Sequence, residues 1–340
     1  MQRFTRRGFL AAGVALAASN APWPALARPT SPPALPQTIR VHLFSGQSVT
    51  RVEIAGTAPL QISFGSNARP ASTLTFDALS GALTADGANL NAGTAPISVS
   101  SAAPLTVTAT ISSVPIAPRH YNGSISMQRI GSSLLVVNAV DVDSYVTSTL
   151  VSEISPGWPP ESMKAQAIVA RTYVLRAAQH SATKPYDVTD DTSNQVYRGV
   201  DGITPSFSTA APATTGMTLM VGGAPADVFY HAVCGGHTAA SIQITGRPGP
   251  AYLGGIADVD DSGRPYCTPA PFFAWQNTVT AESMSRVVGD LSDIIVTDRW
   301  IDGRAKTVRI ARPGAPAYDI DGHHFYMQCS SVLGYKVVPS

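Results

Sequence analysis

An α+β fold, with a β-rich first part and a mixed second part turning on a helix–break–helix corner, is what this 340-residue sequence predicts. Three observations predict it. From Gln37 to about Ile130, apolar and polar residues alternate in short pieces punctuated by Gly, Pro and Asn, the period-two pattern of strands buried on one face. From Val142 to Ala178 the apolar period lengthens to that of a helix, interrupted by Pro156 and Gly157. After residue 205 strands and loops return, and VTAESMSRVVGDL is the only later helical candidate.

Taken in order, residues 1–27 contain TRRGFLAAGVALAASNAPWPALA, with paired Arg6 and Arg7, a short apolar stretch and an Ala25-Leu26-Ala27 cleavage pattern. This resembles a twin-arginine export signal, so the protein is expected to be exported, to the periplasm or the cell wall. No segment approaches the ~20 consecutive apolar residues of a permanent membrane span. Residues 28–36, rich in proline, read as an extended tether. Residues 37–130 form the β-rich domain through pieces such as TIRVHLF, TRVEIAG and PLTVTAT, and residues 131–340 form the mixed domain. Charged residues make up only 13% of the chain and the net charge is +1, with no basic patch, which excludes nucleic acid as a partner.

The corner repays a closer reading. Asp141 is placed to cap a first helix whose Val142, Val146, Thr149 and Leu150 recur at core-facing spacing, and Glu153 falls in its last turn. Pro156 and Gly157 stop that helix, and Pro159 or Pro160 can open the next at no hydrogen-bonding cost. In the second helix Met163, Ala167, Ala170 and Val174 form a buried stripe, while Glu161, Lys164 and Arg171 share another face. The negative end of the first helix dipole, and burial under Trp158, would both favour a protonated Glu153. A general acid needs that state near neutral pH. On the residues alone, a solvated glutamate near a helix end is the plainer description.

The run VVNAVDVDSYVTSTLVSEISPGWPPESMKAQAIVARTYVLRAA, with TDDTSNQVYRGV and YHAVCGGHTAAS downstream, resembles the SpoIID/LytB family, named for stage II sporulation protein D and amidase enhancers. The resemblance covers roughly residues 119 to 335. It implies a peptidoglycan lytic transglycosylase, or a modulator of cell-wall amidases, and in the catalytic members the single acting glutamate matches Glu153. Such an enzyme protonates the glycosidic oxygen and lets the sugar's own 6-hydroxyl attack, forming a 1,6-anhydro ring. It therefore has no need of the second carboxylate that ordinary glycosidases hold across the scissile bond.

The resemblance also bears on the remaining polar residues. Lys164, Gln166 and Arg171 would line a groove and bind hydroxyls, acetamido carbonyls or the lactyl carboxylate, for which an Arg fork is suited. A solvated helix face with Arg171 paired to Glu161 or an aspartate is the alternative. Gln166 and Tyr173 lie seven residues apart on a different face, where substrate binding and a buried, hydrogen-bonded tyrosine explain them equally. In YDVTDDTSNQVYRG, which is otherwise an ordinary polar loop, Gln195 and Tyr197 are the residues expected to face sugar.

His231, Cys234 and His237 form HxxCxxH beside Gly235 and Gly236. These are zinc-type ligands with room for a water, and some family members hold zinc near this position; packing plus a free thiol is the plainer description. Three cysteines cannot all pair, and one arrangement joins Cys267 to Cys329, leaving Cys234 for metal. His323 and His324 read as a turn after Asp321-Gly322. Many family members continue into a Gly/His-rich segment resembling GHGxGxxQxGA, which is not found after DGHHFYMQCSSVLGYKVVPS. That keeps a second class in view, a non-catalytic peptidoglycan-binding activator of an N-acetylmuramoyl-L-alanine amidase.

Overall fold

A computed structural model describes residues 34–65, 67–90, 96–271, 273, 274, 276 and 278–334. The export signal read at residues 1–27 and most of the tether lie outside the described residues. Among the described residues eleven strands precede the first helix: β1 (Thr38–Leu43), β2 (Val49–Phe64), β3 (Asn67–Asp77), β4 (Leu83–Ala85), β5 (Ala88–Leu90), β6 (Ile97–Ser100), β7 (Leu105–Ile111), β8 (Val114–Pro115), β9 (Arg119–Tyr121), β10 (Ser124–Ile130) and β11 (Ser133–Asp141). Then come α1 (Val142–Glu153), α2 (Pro160–His180), β12 (Val188–Thr189), α3 (Pro205–Ala210), β13 (Met220–Val221), β14 (Ala224–Pro225) and α4 (Ser241–Thr245). The last part holds α5 (Ala281–Val288), β15 (Asp293–Arg299), β16 (Ala305–Arg312), β17 (Ala315–Asp321) and α6 (Gly322–Leu333). The fold is α+β, as the periodicity predicts.

The first eleven strands and β12 make one mixed sheet, in the order β12-β1-β11-β10-β6-β2-β3-β4-β5, with β7 adding to β2 and carrying β8 and β9. Its β1–β12 pair is parallel and the other strand pairs are antiparallel. Alternation is clean where it matters: Ile39, Val41 and Leu43 of β1 and Leu105, Val107 and Ala109 of β7 are fully buried, and their neighbours are not. The expected boundary at residues 130/131 falls in the turn of the β10–β11 hairpin, where Ile130 pairs with Ser133. The sheet and one large core, from Ile39 through Tyr145 and Val174 to Ala211, run across it.

The corner forms as its sequence dictates. Asp141 caps α1 by accepting from the Ser144 N–H at 2.9 Å, and Pro159 and Pro160 open α2. α1 buries Tyr145, Val146, Thr149 and Leu150, and α2 buries Met163, Ala167, Ala170 and Val174. A second, smaller core of Val288, Val308, Ile310, Phe325 and Cys329 lies under β15–β17, α5 and α6. α5 matches the helix read in VTAESMSRVVGDL, with Thr280 as its cap. His323 and His324, expected in a turn, instead open α6, because Asp321 accepts from the His324 N–H at 2.9 Å and starts a helix there.

Candidate functional site

Glu153 is the last residue of α1, where the chain leaves the helix through an extended Ile154. Its half-buried carboxylate lines a groove of about 400 Å³ together with Tyr173, Thr192, Ser193, Asn194, Val196, Val228, Phe229 and Tyr230. It is the only carboxylic acid among those lining residues, and no Lys or Arg accompanies it. Burial pushes its carboxyl above the ordinary glutamate range, opposed by hydrogen bonds from the Tyr230 hydroxyl and the Val196 backbone N–H. Trp158 is 49% exposed and does not line the groove, so the desolvation expected from it comes from other walls.

The donor to Glu153 is held by a directional chain of hydrogen bonds. The Tyr145 hydroxyl, fully buried in α1, donates to Gln195 Oε1 at 3.1 Å. Gln195 Nε2 then donates to the Tyr230 hydroxyl at 3.2 Å, which leaves the phenolic proton of Tyr230 for Glu153. Burial pushes the Tyr230 phenol upward, so it stays a donor across the physiological range. Below this chain Tyr145 stacks on Tyr197 with ring centres 5.3 Å apart, and the Tyr197 hydroxyl donates to Asn138 Oδ1 at 2.6 Å. Asn138 in turn donates to the carbonyls of Asn122 and Ser124, fastening the site to the sheet.

The groove wall from Asp190 to Tyr197 is equally tied down. Buried Asp190 accepts from the N–H groups of Phe44 and Ser45, both at 3.0 Å, and Asn194 Oδ1 accepts from the Thr189 N–H at 2.9 Å. Asn194 Nδ2 donates to the Tyr173 hydroxyl at 2.9 Å, bringing α2 to the same wall. Gly199 closes the segment with φ +78°, packed so closely on the His120 carbonyl that any Cβ would collide with it.

The sequence-predicted residues are distributed unequally. Glu153 and Tyr173 line the groove. Gln195 is 1% exposed and is hydrogen-bonded to Tyr145 and Tyr230, and it does not line the groove. Tyr197 is also 1% exposed, a core residue and not a wall aromatic. Arg171, expected on the groove, is buried with Asp143, which accepts from its Nη2 at 2.7 Å, and it also donates to Thr214 and to the carbonyls of Ala211 and Met217. A guanidinium with this many internal acceptors has none of its fork left for a ligand. Lys164 pairs with Glu161 at 2.7 Å on the surface, and Gln166 has an enclosed amide nitrogen without an acceptor among the described residues; neither lines the groove.

His231, Cys234 and His237 are not gathered on one point. His231 is exposed, His237 Nδ1 lies 2.8 Å from the Thr238 carbonyl oxygen, and Cys234 turns its sulfur to Asp258 and Cys267. Among the described residues no group of three or more His, Cys, Asp or Glu side chains is arranged to hold a metal ion. The Cys267–Cys329 pairing is likewise not supported: Cys329 is fully buried in the small core, while Cys267 sits 3.6 Å from Cys234, sulfur to sulfur. Among the described residues no helix is long and apolar enough to cross a membrane.

Sequence reasoning missed Tyr230, Asn194 and the Val196 N–H. Tyr230 stands at the head of YHAVCGGHTAAS, immediately before the histidine that drew attention as a metal ligand.

The class defined here is a single-carboxylate site in a sugar-sized groove, carried on an α+β scaffold. Residues 131–220, which contain Glu153, Tyr173 and the Asp190–Tyr197 wall, match the SpoIID family model, described as stage II sporulation protein. Over 137 residues the chain is 36% identical to an uncharacterized protein of Brachyspira hyodysenteriae, a match covering 40% of this chain and 37% of that protein. The chain thus spans little more than a third of that relative's length in the match. These findings support a SpoIID domain, of a family connected with sporulation and the cell wall.

Proposed function

We propose that the protein is an exported peptidoglycan lytic transglycosylase that cleaves the β-1,4 bond between N-acetylmuramic acid and N-acetylglucosamine, with Glu153 as general acid. The observation that carries this reading is Glu153 itself, a half-buried carboxyl raised by burial and the only acid lining its groove. The protonated carboxyl gives its proton to the glycosidic oxygen as the bond to the anomeric carbon breaks. The resulting carboxylate, stabilised by the Tyr230 hydroxyl and the Val196 N–H, then takes the proton of the muramic 6-hydroxyl as that oxygen closes the 1,6-anhydro ring. A reaction that returns its proton to the same group suits a site with one acid. Tyr173, Phe229 and Tyr230 offer aromatic faces to the sugar rings, and Asn194 an amide.

Purified protein and its Glu153→Gln variant, incubated with intact and peptide-stripped peptidoglycan, provide the test. Mass spectrometry of the wild-type digest should contain 1,6-anhydromuramic products and that of the variant none. Products from both proteins would remove Glu153 from the role, and products from neither would sink the enzymatic reading.

A second reading rests on a separate observation. Beside the groove, Leu219, Met220, Val221, Phe229 and Tyr252 form an apolar hollow of about 380 Å³, and each is more than 40% exposed. Such a surface suits a protein partner, as an activator of a cell-wall amidase would have. In that case Glu153→Gln leaves amidase stimulation intact, whereas Phe229→Ser abolishes it.

A further inference from the structure

The loop that follows Tyr230 and the turn after Asp258 meet at two cysteines. Cys234 is 6% exposed, Cys267 is partly exposed, and their sulfurs lie 3.6 Å apart although 33 residues separate them in sequence. A short antiparallel bridge joins the two segments, through His237 opposite Ala257, Thr238 N–H to the Ile256 carbonyl at 2.8 Å and Asp258 N–H to the Gly236 carbonyl at 2.9 Å. Gly236, at φ +101°, lies against the Pro265 ring, where a Cβ would come within 2.8 Å of Cγ. The bridge therefore holds the two segments side by side with the sulfurs 3.6 Å apart, and a disulfide of about 2.05 Å forms as they close that gap.

We propose that Cys234 and Cys267 are joined as a disulfide when the protein meets an oxidising disulfide donor, covalently pinning the loop behind Tyr230. The more accessible Cys267 thiolate attacks the donor disulfide, releasing one donor thiolate and leaving a mixed disulfide. The Cys234 sulfur then displaces the second donor thiolate. Two protein thiols lose two electrons and two protons, and the donor disulfide is reduced to two thiols.

The surroundings favour this order. Asp258 Oδ2 lies 3.1 Å from Cys234 Sγ, accepts its S–H and is placed to take the proton in the second step. Cys234, at 6% exposure, is the less accessible of the two sulfurs, which suits the residue that reacts second. Arg304 holds the loop from its other side, donating to the Cys234 and His237 carbonyls at 3.1 and 3.2 Å, so the cysteines already face one another before any bond forms.

The test uses the full chain, with no glycan. Folded protein is incubated with oxidised glutathione and a chelator, denatured without reductant, alkylated and digested. The expected result is one alkylated cysteine, Cys329, and a peptide pair linked through Cys234 and Cys267, with all three cysteines alkylated after reduction. In the same oxidised state, Cys267→Ser should melt roughly 5 °C below wild type, the order expected for opening a loop of this length. Three alkylated thiols after oxidation, or a link that includes Cys329, would overturn the proposal. Because the readout is thiol chemistry, it stands or falls apart from any activity on peptidoglycan.

Discussion

Glu153 and Tyr230 act as one unit, and the pH dependence of the proposed reaction follows from their contact. An acid must be protonated to work, so the rate falls as pH rises through the Glu153 pKa. Tyr230 donates to the charged form and holds that pKa down. Tyr230→Phe removes the donor, raises the Glu153 pKa further and moves the alkaline limb of the kcat/KM profile to higher pH, while lowering the maximum through loss of carboxylate support in ring closure. A limb that stays in place or moves to lower pH would contradict this coupling. The same sign governs stability: ionising a partly buried glutamate disfavours the folded state, so Glu153→Gln should melt above wild type at neutral pH, with the difference vanishing below about pH 4, where glutamate is protonated in folded and unfolded chains alike. Glu153 was legible because its setting is local, a helix end followed within a few residues by Pro156 and Gly157. Tyr230 was not, since its role depends on Gln195, 35 residues away, and on Tyr145, 50 residues beyond that.

At the scale of elements, α2 is a scaffold more than a binding face. Arg171 follows Ala167 and precedes Leu175 at four-residue spacing, and both are buried, so periodicity alone would have turned it inward; its charge argued for the surface. The deciding fact is Asp143, 28 residues earlier, whose carboxylate meets the guanidinium in the interior. Arg171→Ala strands Asp143, Thr214 and two carbonyls, and should cost about 3–5 kcal/mol in urea denaturation, whereas Lys164→Ala, on an exposed pair, should stay within about 0.5 kcal/mol. Equal effects from the two substitutions would refute the division. His323 and His324, at the start of α6, read as a turn because Asp321-Gly322 before them is a turn signal. That helix is held by Phe325 and Cys329, one turn apart, packing against β16, a contact no local pattern announces.

The whole molecule rests on two cores of unequal size. The large one unites the sheet with α1, α2 and α3, while the small one beneath β15–β17 has five buried side chains. Amides of β15–β17 should therefore exchange with solvent well before those of β2 and β7, and matching protection in both regions would argue for a single cooperative unit. The longer strands of residues 37–130 were legible because alternation marks them, whereas short ones such as β5 and β8 carry no period to read. That β1 would pair with β11 and β12, and not with β2, was invisible, since nothing in a strand's own pattern names a distant partner.

That pairing governs the order in which the protein can be made. β1 is synthesised before both of its neighbours: it is bordered by residues 133–141 on one side and 188–189 on the other, and Arg40 waits for Asp187, 147 residues later. Until residues 133–141 have been made the strand lacks its first neighbour, and until both helices have followed and residues 188–189 arrive its other hydrogen-bonding edge stands open. One side of this strand is thus covered late, and a polypeptide interrupted before Asp187 leaves bare the stretch at Val41 and His42 that β12 covers in the finished protein.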